Sequence, residues 1–289
     1  MGGFNFLSPR IPIGTWIESF FNWFQGAFDW LISFINVVVG GLYNGLEVVL
    51  AKPLYLVMIV ILAAIAWLCA SWKVAVFTVI GFYVIRAVDQ WENAMNTLAL
   101  VLVAVVIALI IAIPLGIWAA KSKRFSAFIK PVLDFMQTMP SLAYLVPVVV
   151  LFSVGPVAGA IATIIFALPP GVRFTELGIR QVDTETVEAG AAFGASPSHI
   201  LTRIQIPLAM PTIMAGVNQV IMLALSMVVL SGMVGAGGLG GDVVAALSQL
   251  EIGLGMEAGV AVVVVAIFLD RITSGLANRT PLARAQRAS

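Results

Sequence analysis

The chain has 289 residues, of which 61% are hydrophobic and only 10% charged, with mean hydropathy +1.07 and net charge +1. A soluble domain carries about 25% charged residues, so the composition excludes a water-covered globular protein, and the balanced charge offers no field for nucleic acid. Long uncharged runs, where about 20 apolar residues span a bilayer as a helix, define an all-α polytopic membrane protein.

Met1 to Arg10 lacks the basic start, apolar core and small-residue cleavage site of a signal peptide. An irregular lead with Pro9 and Pro12 is expected through residue 14. Thr15-Trp-Ile-Glu18 has capping-box spacing and predicts a helix start. Beyond it Glu18, Asn22, Gln25, Asp29, Ser33 and Asn36 form one narrow polar stripe, with Trp16, Trp23 and Trp30 opposite. That pattern fits an amphipathic helix lying in the membrane interface, or a span whose polar face meets other helices. Gly40-Gly41 and Asn44-Gly45 are expected to break it before Lys52-Pro53.

About seven spans follow, over 54–71, 74–88, 97–120, 131–152, 157–168, 212–234 and 253–269. Pro114 lies inside the third, and Pro140 and Pro147 interrupt the fourth. Asp134 is expected to pair with Lys130, and Glu257 to sit near the outer surface. Basic residues orient the chain: with the 121–130 loop inside, only Arg10, Lys52 and Arg86 of the 15 fall outside. The N-terminus is therefore expected outside and the C-terminus inside. The expected divisions are 1–52 as lead and scaffold helix, 53–93 as a peripheral hairpin, 94–275 as the core, and 276–289 as a basic tail. Arg271, Arg279, Arg284 and Arg287 are suited to anionic lipid headgroups.

Chemistry-bearing residues are few. Cys69 and His199 are the only cysteine and histidine, which leaves no metal cluster and no plausible catalytic pair. Gly235 to Gly240 spells a dinucleotide fingerprint, but that motif needs a preceding strand. A close-packed turn is the expected alternative. The polar segment 171–207 is the informative one, with Arg173, Glu176, Arg180, Asp183, Glu185, Glu188 and Arg203. Asp183 caps a short helix, Gly194 permits a turn, and Ser196-Pro197 caps a second short helix ending near Pro207. Two short helices at a bend suit insertion into a groove on a partner.

Glu188-Ala189-Gly190, then Gly194, then Ile204-Gln205-Ile206-Pro207 resembles the EAA signature of ABC importer permeases. That signature reads Glu-Ala-Ala, three residues, Gly, nine residues, Ile-x-Leu-Pro. Gly190 stands in place of the second Ala, and Ile206 in place of Leu. The stretches IPLGIWAA at 113–120, PVLDFMQTMP at 131–140, IFALPP at 165–170, PTIMAGVNQ at 211–219 and LALSMVV at 223–229 resemble the glycine betaine/proline betaine permeases of osmoprotection. The resemblance implies a type I importer fold working as a homodimer, served by ABC ATPase subunits that bind ATP and Mg. It also implies a separate extracytoplasmic substrate-binding protein and a bacterial cytoplasmic membrane setting, with no cofactor held by this chain. The coupling residues it implies are Glu188, Ala189, Gly190, Gly194, Ile204, Ile206 and Pro207. Met136, Gln137, Thr138, Met139, Ser141, Tyr144 and Ser226 are candidates for the translocation path, although helix packing explains the methionines equally well. Choline, carnitine, proline and methionine are alternative cargoes. An ion-coupled secondary carrier is the alternative of a different class.

Overall fold

The computed structural model describes residues 12–278, and the described residues are helical with no strand. The lead before Pro12 and the tail arginines Arg279, Arg284 and Arg287 lie outside them.

Helix α1 (Ile13–Ala27) starts earlier than the capping box implied. The Pro12 carbonyl already accepts from the Trp16 N–H at 3.3 Å, and Thr15 Oγ1 donates to it at 2.8 Å. Thr15 therefore sits inside the first turn and caps nothing. The helix has no buried residue, and Trp16, Trp23 and Trp30 are all exposed. It ends at Phe28, where the backbone (φ −118°, ψ 24°) leaves helical geometry. The polar stripe is thus divided between α1 and α2 (Asp29–Ala51). Contrary to expectation, α2 runs unbroken through Gly40-Gly41 and Asn44-Gly45. Gly40 faces Val157, whose Cγ2 lies 3.4 Å from where a Cβ would stand. In lipid an unwound backbone has no water to bond, so small residues pack the helix closely instead of ending it.

Helices α3 (Tyr55–Cys69) and α4 (Trp72–Ala87) form a hairpin against α13 (Ile252–Asn278). Phe82 meets Phe268 edge-on, with ring centroids 5.1 Å apart. At 15 and 16 residues, these helices reach only about 22–24 Å against a hydrocarbon core of about 30 Å. They correspond to the first two expected spans. Five described helical runs are long and apolar enough to cross a membrane: α2, α5 (Trp91–Lys121), α8 (Pro156–Arg180), the run Pro197–Val234, and α13. A sixth arises only if α6 (Lys123–Thr138) and the run Ser141–Phe152, which contains α7 (Leu145–Phe152), count as one bent span. The two meet at 107°. Pro140 is the cause, because it forces Met139 into an extended conformation (φ −65°, ψ 136°) before a 3₁₀ turn Ser141–Tyr144.

The core is α5, α8 and α11 (Ile206–Ser231), packed through small residues. A Cβ on Gly116 would stand 2.5 Å from the Thr175 Cβ, and one on Gly216 2.5 Å from the Phe174 Cβ. Dispersion at such close approach, rather than a hydrophobic drive, holds helices together in lipid. Pro114, Pro169 and Pro170 are accommodated inside these helices.

Helix α8 extends to Arg180, well beyond the expected end at 168. Arg173, Glu176 and Arg180 therefore belong to its last turns and not to a polar connecting segment. Their charges are matched locally. Lys130 Nζ and Arg180 Nε lie 3.6 and 3.0 Å from Glu176 Oε1. Ser126 Oγ donates to the same oxygen at 2.6 Å, and Arg180 donates to the Ala119 carbonyl at 2.8 Å. Asp134 pairs with Arg173, not with Lys130. The expected intrahelical pair loses to partners on α8 because Lys130 is drawn to the buried carboxylate.

The glycine-rich stretch follows a helix and a 3₁₀ turn (Gly232–Val234), and opens α12 (Gly238–Gln249). Gly235, Gly237 and Gly238 take φ of 73°, 71° and 62°. A Cβ on Gly232 would stand 2.2 Å from the Gly240 carbonyl carbon, so backbone packs on backbone here. The turn is tied to α5. Leu239 N–H donates to Thr97 Oγ1 at 2.9 Å, and Gln90 and Asn93 donate to Asp242 Oδ2 at 2.9 and 2.6 Å. Glu257 is exposed near the start of α13.

Candidate coupling site and transport path

The last turn of α8 leads through Gln181 to Asp183, whose Oδ1 accepts from the Glu185 N–H at 3.0 Å. That cap starts α9 (Thr184–Ala192), which has no buried residue. Its end is closed by two backbone bonds: Ala195 N–H to the Gly190 carbonyl at 3.1 Å and Gly194 N–H to the Ala191 carbonyl at 2.9 Å. This pairing satisfies two terminal carbonyls and requires a left-handed residue, which Gly194 supplies at φ +80°. Ser196 Oγ then accepts from the His199 N–H at 3.4 Å, and Pro197 takes the first position of α10 (Pro197–Ile200). The sequence of cap, turn and second cap is as expected, but the second short helix does not end near Pro207: Pro197 opens a helical run that continues to Val234, and the bend at Gly194 stands out as an exposed knuckle.

A π turn, Leu201–Gln205, joins α10 to α11, with the Ile206 N–H donating to the Leu201 carbonyl. Pro207 explains it. In a regular helix its ring would collide with the Arg203 carbonyl, and the wider turn relieves that contact. Ile204 folds over α9, its Cδ1 2.6 Å from a would-be Gly190 Cβ. Ile206 packs at the root of the knuckle against Ile179, Leu201, Ala209 and Ile213. Glu188 and Ala189 are exposed, Gly190 half-buried. All seven signature residues thus lie on one short unit, some facing outward and others holding it to the core. His199 is exposed on α10.

Phe193 was not singled out by sequence reasoning. It stands 93% exposed at the tip of the knuckle. A large aromatic so exposed is a common anchor for a partner pocket. Its adjacency to a turn glycine was the only available signal.

The path candidates are less unified. Gln137 and Thr138 are exposed at the end of α6, while Met136 packs toward Leu133 and Leu168. Met139 and Ser141 are half-buried at the bend. Tyr144 is buried against Phe166 (6.1 Å between ring centroids) and Met227, with no hydrogen-bond partner for its hydroxyl among the described residues. Ser226 is exposed on α11 and donates to the Met222 carbonyl at 3.1 Å. The bend brings Met139 and Tyr144 into one cluster with Met227, whereas Ser226 points away from it.

A bundle of membrane-crossing helices with a capped, exposed knuckle between two core helices is an architecture that suits a membrane transport permease. Residues 112–280 match the family described as binding-protein-dependent transport system inner membrane component. The chain belongs to that family: it is a multi-pass membrane permease subunit of an ABC importer, a class that works with ATPase and substrate-binding partners. It is 44% identical over 272 residues to the glycine betaine transport system permease protein OpuAB of Bacillus subtilis (strain 168), covering 93% of this chain and 95% of that one. It is 45% identical over 277 residues to the glycine betaine/proline betaine permease ProW of Escherichia coli (strain K12), covering 94% and 78%. The glycine betaine/carnitine permease GbuB of Listeria monocytogenes (serotype 1/2a, strain 10403S) is 45% identical, with 92% and 95% covered. Among solved structures, an inward-facing MetNI methionine ABC transporter shares the fold, with TM-score 0.55 at 22% identity, over 65% of this chain and 92% of that one.

Proposed function

We propose that the chain is the permease of an ATP-driven importer for glycine betaine or a related quaternary ammonium osmoprotectant, acting as a homodimer. The names of its most similar relatives support the cargo class, and the carnitine in one of them favours carnitine as a second substrate. The carrying observation for the mechanism is the α9–α10 knuckle, exposed outward and rooted on α8 and α11. Each knuckle occupies a cleft on an ATPase that holds ATP and Mg. Closure of the two ATPases moves the knuckles and switches the central path from inward to outward opening. A separate binding protein then delivers cargo from outside. The knuckle side faces the cytoplasm, in keeping with Lys121, Lys123, Arg124, Lys130, Arg173 and Arg203 gathered near it. With α2 lying along the membrane instead of crossing it, this orientation sets the N-terminus outside and the C-terminus inside. Met136, Gln137, Thr138, Met139, Ser141, Tyr144 and Ser226 contribute weak contacts along the path, since tight binding there would slow release.

The test is uptake of radiolabelled glycine betaine into vesicles holding permease, ATPase and binding protein. Uptake abolished by vanadate and indifferent to an uncoupler is the expected result. Uptake that persists in vanadate and collapses with the uncoupler would identify an ion-coupled carrier instead.

A further inference from the structure

Glu176 is 4% exposed, yet its carboxylate is met from two helices. Ser126 and Lys130 reach it from α6, and Arg180 from its own helix one turn on. One turn further along, Asp134 of α6 pairs with Arg173 of α8. Higher numbers on α6 meet lower numbers on α8, so the helices run antiparallel and the two rungs have opposite polarity. A slip of one turn either way would set Lys130 against Arg173, or Asp134 against Glu176. Both slips bring like charges together, and the burial of Glu176 strengthens the repulsion in the second. The seam therefore favours one register, most strongly against the slip that would set Asp134 beside the buried Glu176.

The helices it joins lead to different places. Helix α8 continues into the knuckle, whereas α6 continues into the bend that carries Met139 and Tyr144. We propose that Glu176 is a positioning residue that locks α6 to α8, so that displacement of the knuckle reaches the path bend as a rigid movement of α6. This inference rests on the knuckle being the ATPase contact. The link is separable from the fold, because the cations around Glu176 are not buried with it. Arg180 and Lys130 side chains are 35% and 55% exposed and stay hydrated once the carboxylate is neutralised. The α8–α11 packing that roots the knuckle does not involve them.

The experiment uses the whole transporter in vesicles and measures glycine betaine uptake per ATP hydrolysed. Glu176→Gln removes the buried charge, and the pair Ser126→Ala with Lys130→Met cuts both links from α6 while leaving Glu176 with Arg180. Both are expected to recover the ATPase at the parental ratio and to keep ATP hydrolysis within about twofold. Uptake per ATP is expected to fall about tenfold or more, the scale of an energetic coupling between sites. Parental uptake per ATP in either variant overturns the proposal. Loss of the ATPase from the complex also overturns it, because the seam would then be structural. Glu188→Arg, run in parallel, separates the two readings. Normal ATPase recovery and normal uptake in that variant would defeat the knuckle assignment itself, whatever Glu176 does.

Discussion

Ile204 Cδ1 occupies the space beside Gly190, 2.6 Å from where an alanine Cβ would stand. Gly190 is the position at which the chain departs from the Glu-Ala-Ala pattern, and Ile204, which keeps the signature's isoleucine, is the neighbour that an alanine there would press. Restoring alanine gains about 1 kcal/mol of helix propensity but pushes on a terminal methyl that can swing aside. Gly190→Ala is expected to change stability by less than about 1 kcal/mol. In Gly190→Ala with Ile204→Val the obstructing carbon is gone, so the two substitutions should couple favourably by about 0.5 kcal/mol or more. A double-mutant cycle on the detergent-purified protein, read by thermal unfolding, measures this term. Strict additivity would mean that Ile204 does not press on the alanine Cβ.

Gly194 tests the turn. Its φ of +80° costs an L-residue about 1–2 kcal/mol. Because the knuckle buries little, Gly194→Ala should loosen it locally without lowering the melting temperature of the bundle. Hydrogen exchange is expected to speed up across 183–205 and stay unchanged in α8 and α11. A global loss of protection would contradict a local role for this turn.

Phe193 tests the surface. Removing a side chain that is 93% exposed should leave the free permease as stable as before. If it anchors the knuckle in the ATPase, Phe193→Ala should weaken that association by about 2 kcal/mol, or about 30-fold. Titration of the ATPase onto permease in nanodiscs reads the difference. Unchanged affinity would leave Phe193 without a part in docking.

The buried carboxylate makes an asymmetric prediction. Glu176→Gln leaves two cations that can hydrate, whereas Arg180→Ala leaves a buried anion with Lys130 at 3.6 Å and Ser126. Losing the partner of a buried group costs about 1–3 kcal/mol, so Arg180→Ala should unfold at a clearly lower temperature than Glu176→Gln. Equal melting temperatures would mean that the carboxylate is better solvated than its 4% exposure indicates.

The knuckle was legible because its signals are local. Asp183, Gly194 and Ser196-Pro197 each act within a few residues, through a cap, a positive φ and a fixed one. The Glu176 cluster was not legible, since Ser126 stands 50 residues away and its pairing depends on how α6 lies on α8. A separation of 39 residues likewise hid the true partner of Asp134. The break at Phe28 escaped because phenylalanine carries no backbone preference that marks a helix end, and the continuity of α2 escaped because glycines that interrupt soluble helices serve close packing in lipid. The first span was expected longer than α3, because hydropathy registers apolar character but not the turn at Ala70 that ends that helix, whereas the second was close to the 16-residue length of α4.

Cysteine accessibility at the knuckle tip tests the central claim most directly. Cys69 is the only native cysteine, so Phe193→Cys in a Cys69→Ser background gives a single reporter. A water-soluble maleimide should label it rapidly in the free permease and at least about tenfold more slowly in the transporter assembled with its ATPase. A short bifunctional reagent should join it to the ATPase subunit. Equal labelling in the free and assembled forms, with no crosslink, would contradict the assignment of the knuckle as the place where the permease meets its motor.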